Sequence, residues 1–197
     1  RTAVGLFDQS SFAKFSLSGP DALAVLETMS ANSIDVPPGR GVYTQWLNDR
    51  GGIEADLTVT RLDEEDFFVV TSAASQTRDW AWLRRGCRGY DVRLSDITND
   101  WSVLGVMGPN SRDLLQSLTE TDLSKDGFEF GSMKSLVIAD VTCRALRMSY
   151  VGELGWELYV PSDQTEAVYW AITSCGEPYG LRHAGFHAMN SLRLEAG

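Results

Sequence analysis

Two acids interrupt segments that would fold more cheaply without them. Asp56 follows the glycine pair of Gly51-Gly52-Ile53-Glu54-Ala55-Asp56-Leu57-Thr58-Val59, and Glu157 lies between Trp156 and Leu158. Aspartate is depleted in strands, and a carboxylate withdrawn from water without partners is costly to ionise. Asp56 is therefore a strand-end cap or turn residue, an acid at a strand mouth facing a cleft, or an acid paired with a polar group. In a functional role it could stabilise a developing cation and move a proton, effects typically worth factors of roughly 10² or more in rate. Glu157 suits a different task, because a carboxylate can accept two side-by-side hydrogen bonds from one planar ligand. Tyr150 and Trp156 flank it and could cover the faces of such a ring, although Trp156 reads equally well as core.

Other chemistries find little support. Cys87, Cys143 and Cys175 are odd in number and lack CxxC spacing, which reads as buried reduced thiols rather than disulfides or a zinc site. His183 and His187 are four apart, but Gly185 between them suggests a helix only beginning there, and no further ligands complete a metal site. Neither a GxGxxG fingerprint nor a GxxxxGK loop is present, so the chain has no obvious means of holding a flavin, a nicotinamide or a nucleoside triphosphate. A net charge of −10 argues against a nucleic-acid surface, which needs clustered cations. The longest apolar runs fall well short of the roughly 20 residues that span a bilayer, and the first residues lack the layout of a signal peptide. The expected location is cytoplasmic, or the mitochondrial matrix in a eukaryote.

The elements that must position these acids repeat. At an offset of 89, Gly19-Pro20-Asp21 falls on Gly108-Pro109-Asn110, Leu26 on Leu115, Leu57 on Leu146, Val69 on Leu158 and Tyr90 on Tyr179. The spacing predicts two similar halves, about 12–92 and 101–181. Each reads as a strand, a helix with proline in its first position, two or more strands, and a second helix. The predicted class is α+β, two pseudo-symmetric halves of mixed sheet plus helices. Leu146, Met148 and Tyr150, then Trp156, Leu158 and Val160, alternate as two strands around residues 151–155. In this register Asp56 and Glu157 come from equivalent layers of opposite halves, and a ligand between the halves would meet both acids, about 10 Å apart, in a shared pocket of a common kind.

Four stretches give the chain a family resemblance: Leu17-Ser18-Gly19-Pro20-Asp21-Ala22, Tyr43 to Leu57, Tyr150-Val151-Gly152-Glu153-Leu154-Gly155-Trp156-Glu157-Leu158, and Asn190-Ser191-Leu192-Arg193-Leu194-Glu195-Ala196-Gly197. Together and in this order they resemble the folate-binding domain shared by the glycine-cleavage T-protein (aminomethyltransferase) and the sarcosine and dimethylglycine dehydrogenases. The resemblance implies a T-protein-like folate-binding fold over residues 1–197, with tetrahydrofolate as cofactor. It also implies Asp56 as the catalytic residue, and Tyr150 and Glu157 as folate-binding residues.

Departures from the pattern bear on the subgroup. The T-protein has Ala-Arg-Asp where Ala188-Met189-Asn190 stands here, so the arginine of its folate site is replaced by Met189. The stretch Tyr43 to Gly52 is closer to the folate module of the dehydrogenases, in which a separate domain binds FAD. The expected function is capture of a one-carbon unit as methylene-tetrahydrofolate from a small methylated amine or its iminium or formaldehyde product. A flavin domain of the same polypeptide would be the partner, and the chain reads as a piece of that longer protein. The alternatives are a standalone aminomethyltransferase and a non-catalytic folate-binding module.

Overall fold

Each Gly-Pro pair closes a tight turn. Gly19 and Gly108 take φ of +128° and +137°, a region glycine enters without a Cβ clash. Ala22 N–H donates to the Gly19 carbonyl and Ser111 N–H to the Gly108 carbonyl, both at 3.0 Å. Pro20 and Pro109 therefore occupy the second turn position, where the fixed φ is favourable, and the helices start at Ala22 and Ser111, two residues later than the sequence predicts.

The computed structural model describes all residues, 1–197. In chain order the strands are β1 (Val4–Asp8), β2 (Ala13–Ser18), β3 (Arg40–Leu47), β4 (Ile53–Arg61), β5 (Asp66–Thr71), β6 (Arg93–Asp96), β7 (Trp101–Met107), β8 (Met133–Ile138), β9 (Val141–Leu146), β10 (Gly155–Pro161) and β11 (Leu181–Ala184). The helices are α1 (Ala22–Met29), α2 (Gln76–Gly86), α3 (Ser111–Gln116), α4 (Thr165–Cys175) and α5 (Phe186–Ala196). The class is α+β. The chain sorts into one unit of Ser11–Thr98 and another of Arg1–Ser10 with Asn99–Gly197.

The 11–98 unit has one antiparallel sheet, β3-β4-β5-β2-β6. Phe15, Leu17, Val59, Val69 and Trp46 leave this sheet on one side and pack with Val25 and Leu26 of α1 and Leu83 of α2. The other unit has the sheet β11-β1-β7-β10-β9-β8, antiparallel except for the β1–β11 pair. There Leu104, Val106, Trp156, Leu158 and Val160 pack with Leu114 and Leu115 of α3 and Val168 and Ile172 of α4. Fully burying each such side chain contributes about 1.5–3 kcal/mol.

The ladders show how closely the sheets correspond. Ala13↔Thr71 through Ser18↔Asp66 stand 89 residues before Ser102↔Val160 through Met107↔Gly155. In the next strand the offset changes. Thr60 faces Phe68 while Leu146 faces Glu157, so β4 and β9 correspond at 86 and Leu57 matches Cys143 rather than Leu146. The 147–154 connection is three residues longer than its counterpart, a difference that side-chain pattern alone does not reveal.

The leading strands also correspond. β1 runs into β2 and β6 into β7 along the chain, yet β1 hydrogen-bonds with β7 and β6 with β2. After each, an aspartate closes a small turn, with Ser10 N–H donating to Asp8 Oδ1 at 2.9 Å and Thr98 N–H to Asp96 Oδ1 at 3.0 Å. The two hydroxyl oxygens then accept from Val103 N–H and Lys14 N–H, each at 3.0 Å.

Candidate functional site

On β10, alternation sends Trp156, Leu158 and Val160 to the helix-side core and Glu157 and Tyr159 to the opposite face. Trp156 is fully buried, with Arg112 and Arg147 near its ring at 5.9 and 5.8 Å. It belongs to the core and does not share the Glu157 face. The Tyr159 hydroxyl donates to Glu157 Oε2 at 2.7 Å. Burial pushes the Glu157 carboxyl above the usual glutamate range, and the Tyr159 hydrogen bond pulls in the other direction. Glu157 still keeps part of its surface in water. Burial, then the neighbouring Glu157, holds the Tyr159 hydroxyl well above the tyrosine range, so it keeps its proton and remains a donor.

Glu157 is flanked by Gly105 on β7 and Leu146 on β9. The place a side chain would take at Gly105 is filled by Gln9, whose Oε1 lies 2.5 Å from an ideal Cβ there. Gln9 is 4% exposed and its Oε1 has no hydrogen-bond partner, while its Nε2 donates to Met189 Sδ at 3.3 Å. A buried carbonyl without a donor is costly. Two acceptors, one of them orphaned, thus stand beside adjacent strands. A planar ligand with adjacent N–H donors fits that set, and the amino and ring N–H groups of a pterin are such donors.

Tyr150 does not lie on a strand, contrary to the sequence reading. Met148 N–H turns back to the Leu146 carbonyl at 2.9 Å and leaves the ladder, so β9 ends at Leu146 and residues 147–154 form the connection to β10. Gly152 takes φ +72° in this loop, with Ala196 of α5 where a Cβ would stand. The Arg1 guanidinium donates to the Val151 carbonyl at 2.7 Å and to Leu192 O, and pairs with Glu153 and Glu195. Tyr150 is 46% exposed, with the Arg193 guanidinium 5.5 Å from its ring centre. Tyr150 and Glu157 belong to the same unit.

Asp56 belongs to the 11–98 unit. On β4, Ala55 and Leu57 are buried, whereas Asp56 between them is exposed and faces Gln45 of β3. Gln45 Nε2 donates to Asp56 Oδ1 at 3.1 Å. Of the possibilities open in the sequence, the polar pairing describes this side chain, and burial does not. Strand propensity disfavours aspartate, but the outer face of an antiparallel sheet can be solvated. The preceding turn is tied by Asn48, whose Oδ1 accepts from Arg50 and Gly52 N–H and whose Nδ2 donates to Glu54.

His183 lies on β11 and His187 on α5, so no helix carries both. The sequence reading of three buried thiols holds for Cys143, whose pKa burial raises to about 11. Cys87 is half-buried, and Cys175 is exposed because it ends α4 beyond the face that packs on the sheet. An open cleft of about 710 Å³ beside α3 and the β8–β9 turn is lined by Ser117–Thr121, Val137, Ala139 and Asp140. It contains none of the candidate acids. No helix is long and apolar enough to cross a membrane. Sequence reasoning missed Tyr159, Gln9 and Gln45. Period-two alternation would have put Tyr159 on the Glu157 face, but no sequence signal joins Gln9 to Gly105.

Comparisons with known proteins identify the class to which this α+β chain belongs. The GCVT N-terminal domain family matches residues 1–197, and the chain belongs to that family. The crystal structure of glycine cleavage system aminomethyltransferase T from Bartonella henselae superposes with a TM-score of 0.86 at 27% identity, over all of this chain and 52% of that one. A 4-methylaminobutanoate oxidase (formaldehyde-forming) of Paenarthrobacter nicotinovorans is 44% identical over 100% of this chain and 24% of its own length. Mitochondrial dimethylglycine dehydrogenase of Rattus norvegicus is 40% identical over 98% of this chain and 22% of its own. The chain thus spans about a quarter of the length of these two relatives.

Proposed function

We propose that this chain binds tetrahydrofolate and captures a one-carbon unit as methylene-tetrahydrofolate, within an enzyme of the sarcosine and dimethylglycine dehydrogenase type. The observation that carries the reading is the Glu157 carboxylate, braced by Tyr159 beside the orphaned Gln9 carbonyl. Glu157 accepts the amino and ring N–H donors of the pterin, and Gln9 Oε1 offers a further acceptor. Tyr150, half-exposed on its loop, covers the ring or the segment attached to it. Bound folate supplies the N5 and N10 amines that take up the one-carbon unit. Asp56 serves those amines by accepting a hydrogen bond or a proton and by stabilising positive charge, with Gln45 holding Oδ1 and leaving Oδ2 for the ligand. The small methylated amine, its iminium or formaldehyde product, and FAD belong to the longer protein.

Calorimetric titration with tetrahydrofolate, paired with an assay of methylene-tetrahydrofolate formation in the full-length protein, tests this reading. Asp56→Asn should retain most affinity and lose transfer by roughly 10² or more. Wild-type transfer by that variant removes Asp56 from the mechanism, and absence of folate binding by the unmodified protein removes the function. A second reading rests on the formaldehyde-forming relative. If the one-carbon unit leaves as formaldehyde, turnover will release it at the same rate with and without tetrahydrofolate.

A further inference from the structure

We infer that Tyr159 is a positioning residue for folate binding, its hydroxyl holding the Glu157 carboxylate in the orientation that receives the two pterin donors. The inference rests on the folate reading of Glu157 and assigns Tyr159 a role through that side chain.

Glutamate has three side-chain torsions, and a carboxylate free to rotate must be ordered when a planar ligand arrives. Ordering a rotamer-rich side chain costs binding energy, which an existing hydrogen bond removes in advance. Tyr159 is fully buried on the same strand and face as Glu157, and its Oη reaches Glu157 Oε2 at 2.7 Å. Neighbouring backbone fixes the strand on both sides, since Tyr159 pairs with Val103 and Arg144 and Glu157 pairs with Gly105 and Leu146. The phenol is therefore a stiff post. A carboxylate has about four lone-pair positions. The Tyr159 hydroxyl takes one on Oε2, leaving a second there and both on Oε1 for parallel donors. The same bond favours the ionised carboxylate against the burial that opposes it, and charge-assisted bonds are about twice as strong as neutral ones. The phenol keeps the proton it donates because its pKa is held high.

A thermodynamic cycle in the full-length protein separates this role from general packing. Tetrahydrofolate is titrated into wild type, Glu157→Gln, Tyr159→Phe and the double variant, with thermal melting recorded for each. Phenylalanine keeps the ring and removes only the hydroxyl. Tyr159→Phe should raise the folate Kd about ten-fold or more, the range for one hydrogen bond to a charged group. In the Glu157→Gln background the same change should have less than two-fold effect, because the amide, even with its carbonyl on the Tyr159 hydroxyl, presents no two-acceptor carboxylate to orient. Equal effects in both backgrounds, or an unchanged Kd in Tyr159→Phe alone, overturn the inference while leaving Glu157 as a folate ligand. An unchanged Kd in Glu157→Gln overturns the folate reading itself. If Tyr159→Phe unfolds, Tyr159→Trp, which restores a donor with different reach, and 2-desamino-tetrahydropterin as probe replace it. Wild type should prefer the amino-bearing pterin about ten-fold, and equal affinity for the two would refute bidentate capture.

Discussion

Glu157→Gln should make the protein more stable and a poorer folate binder at the same time. The carboxylate is buried beyond what its one intramolecular hydrogen bond offsets, which is why its pKa lies above the ordinary value. Below the usual glutamate range both folded and unfolded chains carry the proton, and burial of charge costs nothing. Between that range and the higher folded pKa the unfolded state releases its proton first, so stability falls as pH rises. Above the folded pKa the full cost remains. Each unit by which burial raises the pKa corresponds to about 1.4 kcal/mol, or roughly 3–6 °C of melting temperature at this chain length. Glutamine carries no charge and can turn its carbonyl to the Tyr159 hydroxyl, so it keeps that bond. Melting Glu157→Gln beside wild type at pH 8 and pH 5.5, in 0.15 M salt, should show a gain at the higher pH that shrinks at the lower. A loss of stability at pH 8 would refute the reasoning, because it would mean that the charge is satisfied and structural.

Gly108→Ala places a Cβ 2.1 Å from the Ala3 carbonyl oxygen at φ +137°, whereas Gly89, at φ +85°, has open space around it. Urea titration should show Gly89→Ala costing about 1 kcal/mol from φ alone, and Gly108→Ala at least twice that or no folded protein. Tyr150→Ala removes an exposed side chain whose main contact is Arg193, so stability should change by less than about 0.5 kcal/mol. Its folate Kd should nevertheless rise several-fold, and an unchanged Kd would return Tyr150 to the surface.

Much of the molecule is written in local pattern. Phe15 and Leu17, Leu104 and Val106, Trp156 and Leu158 announce strands with one core face, and Gly19-Pro20 and Gly108-Pro109 announce the turns before two helices. The limits came where geometry depends on a distant partner. Met148 and Tyr150 keep the alternation of a strand, but a backbone hydrogen bond from Met148 to Leu146 removes them from it. Asp56 is unusual by composition and ordinary by position, since the face of β4 it occupies is exposed. Proline in a turn and proline at the first helical position share one sequence signature, and only the carbonyl of the preceding glycine decides between them.

The routing of β1 sets an order of assembly. Residues 11–98 contain every strand of their own sheet and can close it once that stretch has left the ribosome. β1 has no such opportunity, because Leu6 pairs with Val106 and with His183, partners synthesised about 100 and 180 residues later. Val4, Leu6 and Phe7, buried in the folded unit, have no ladder to join until β7 has been made. Substitutions in β1 should therefore lower the yield of folded protein more than they lower the stability of molecules that have already folded.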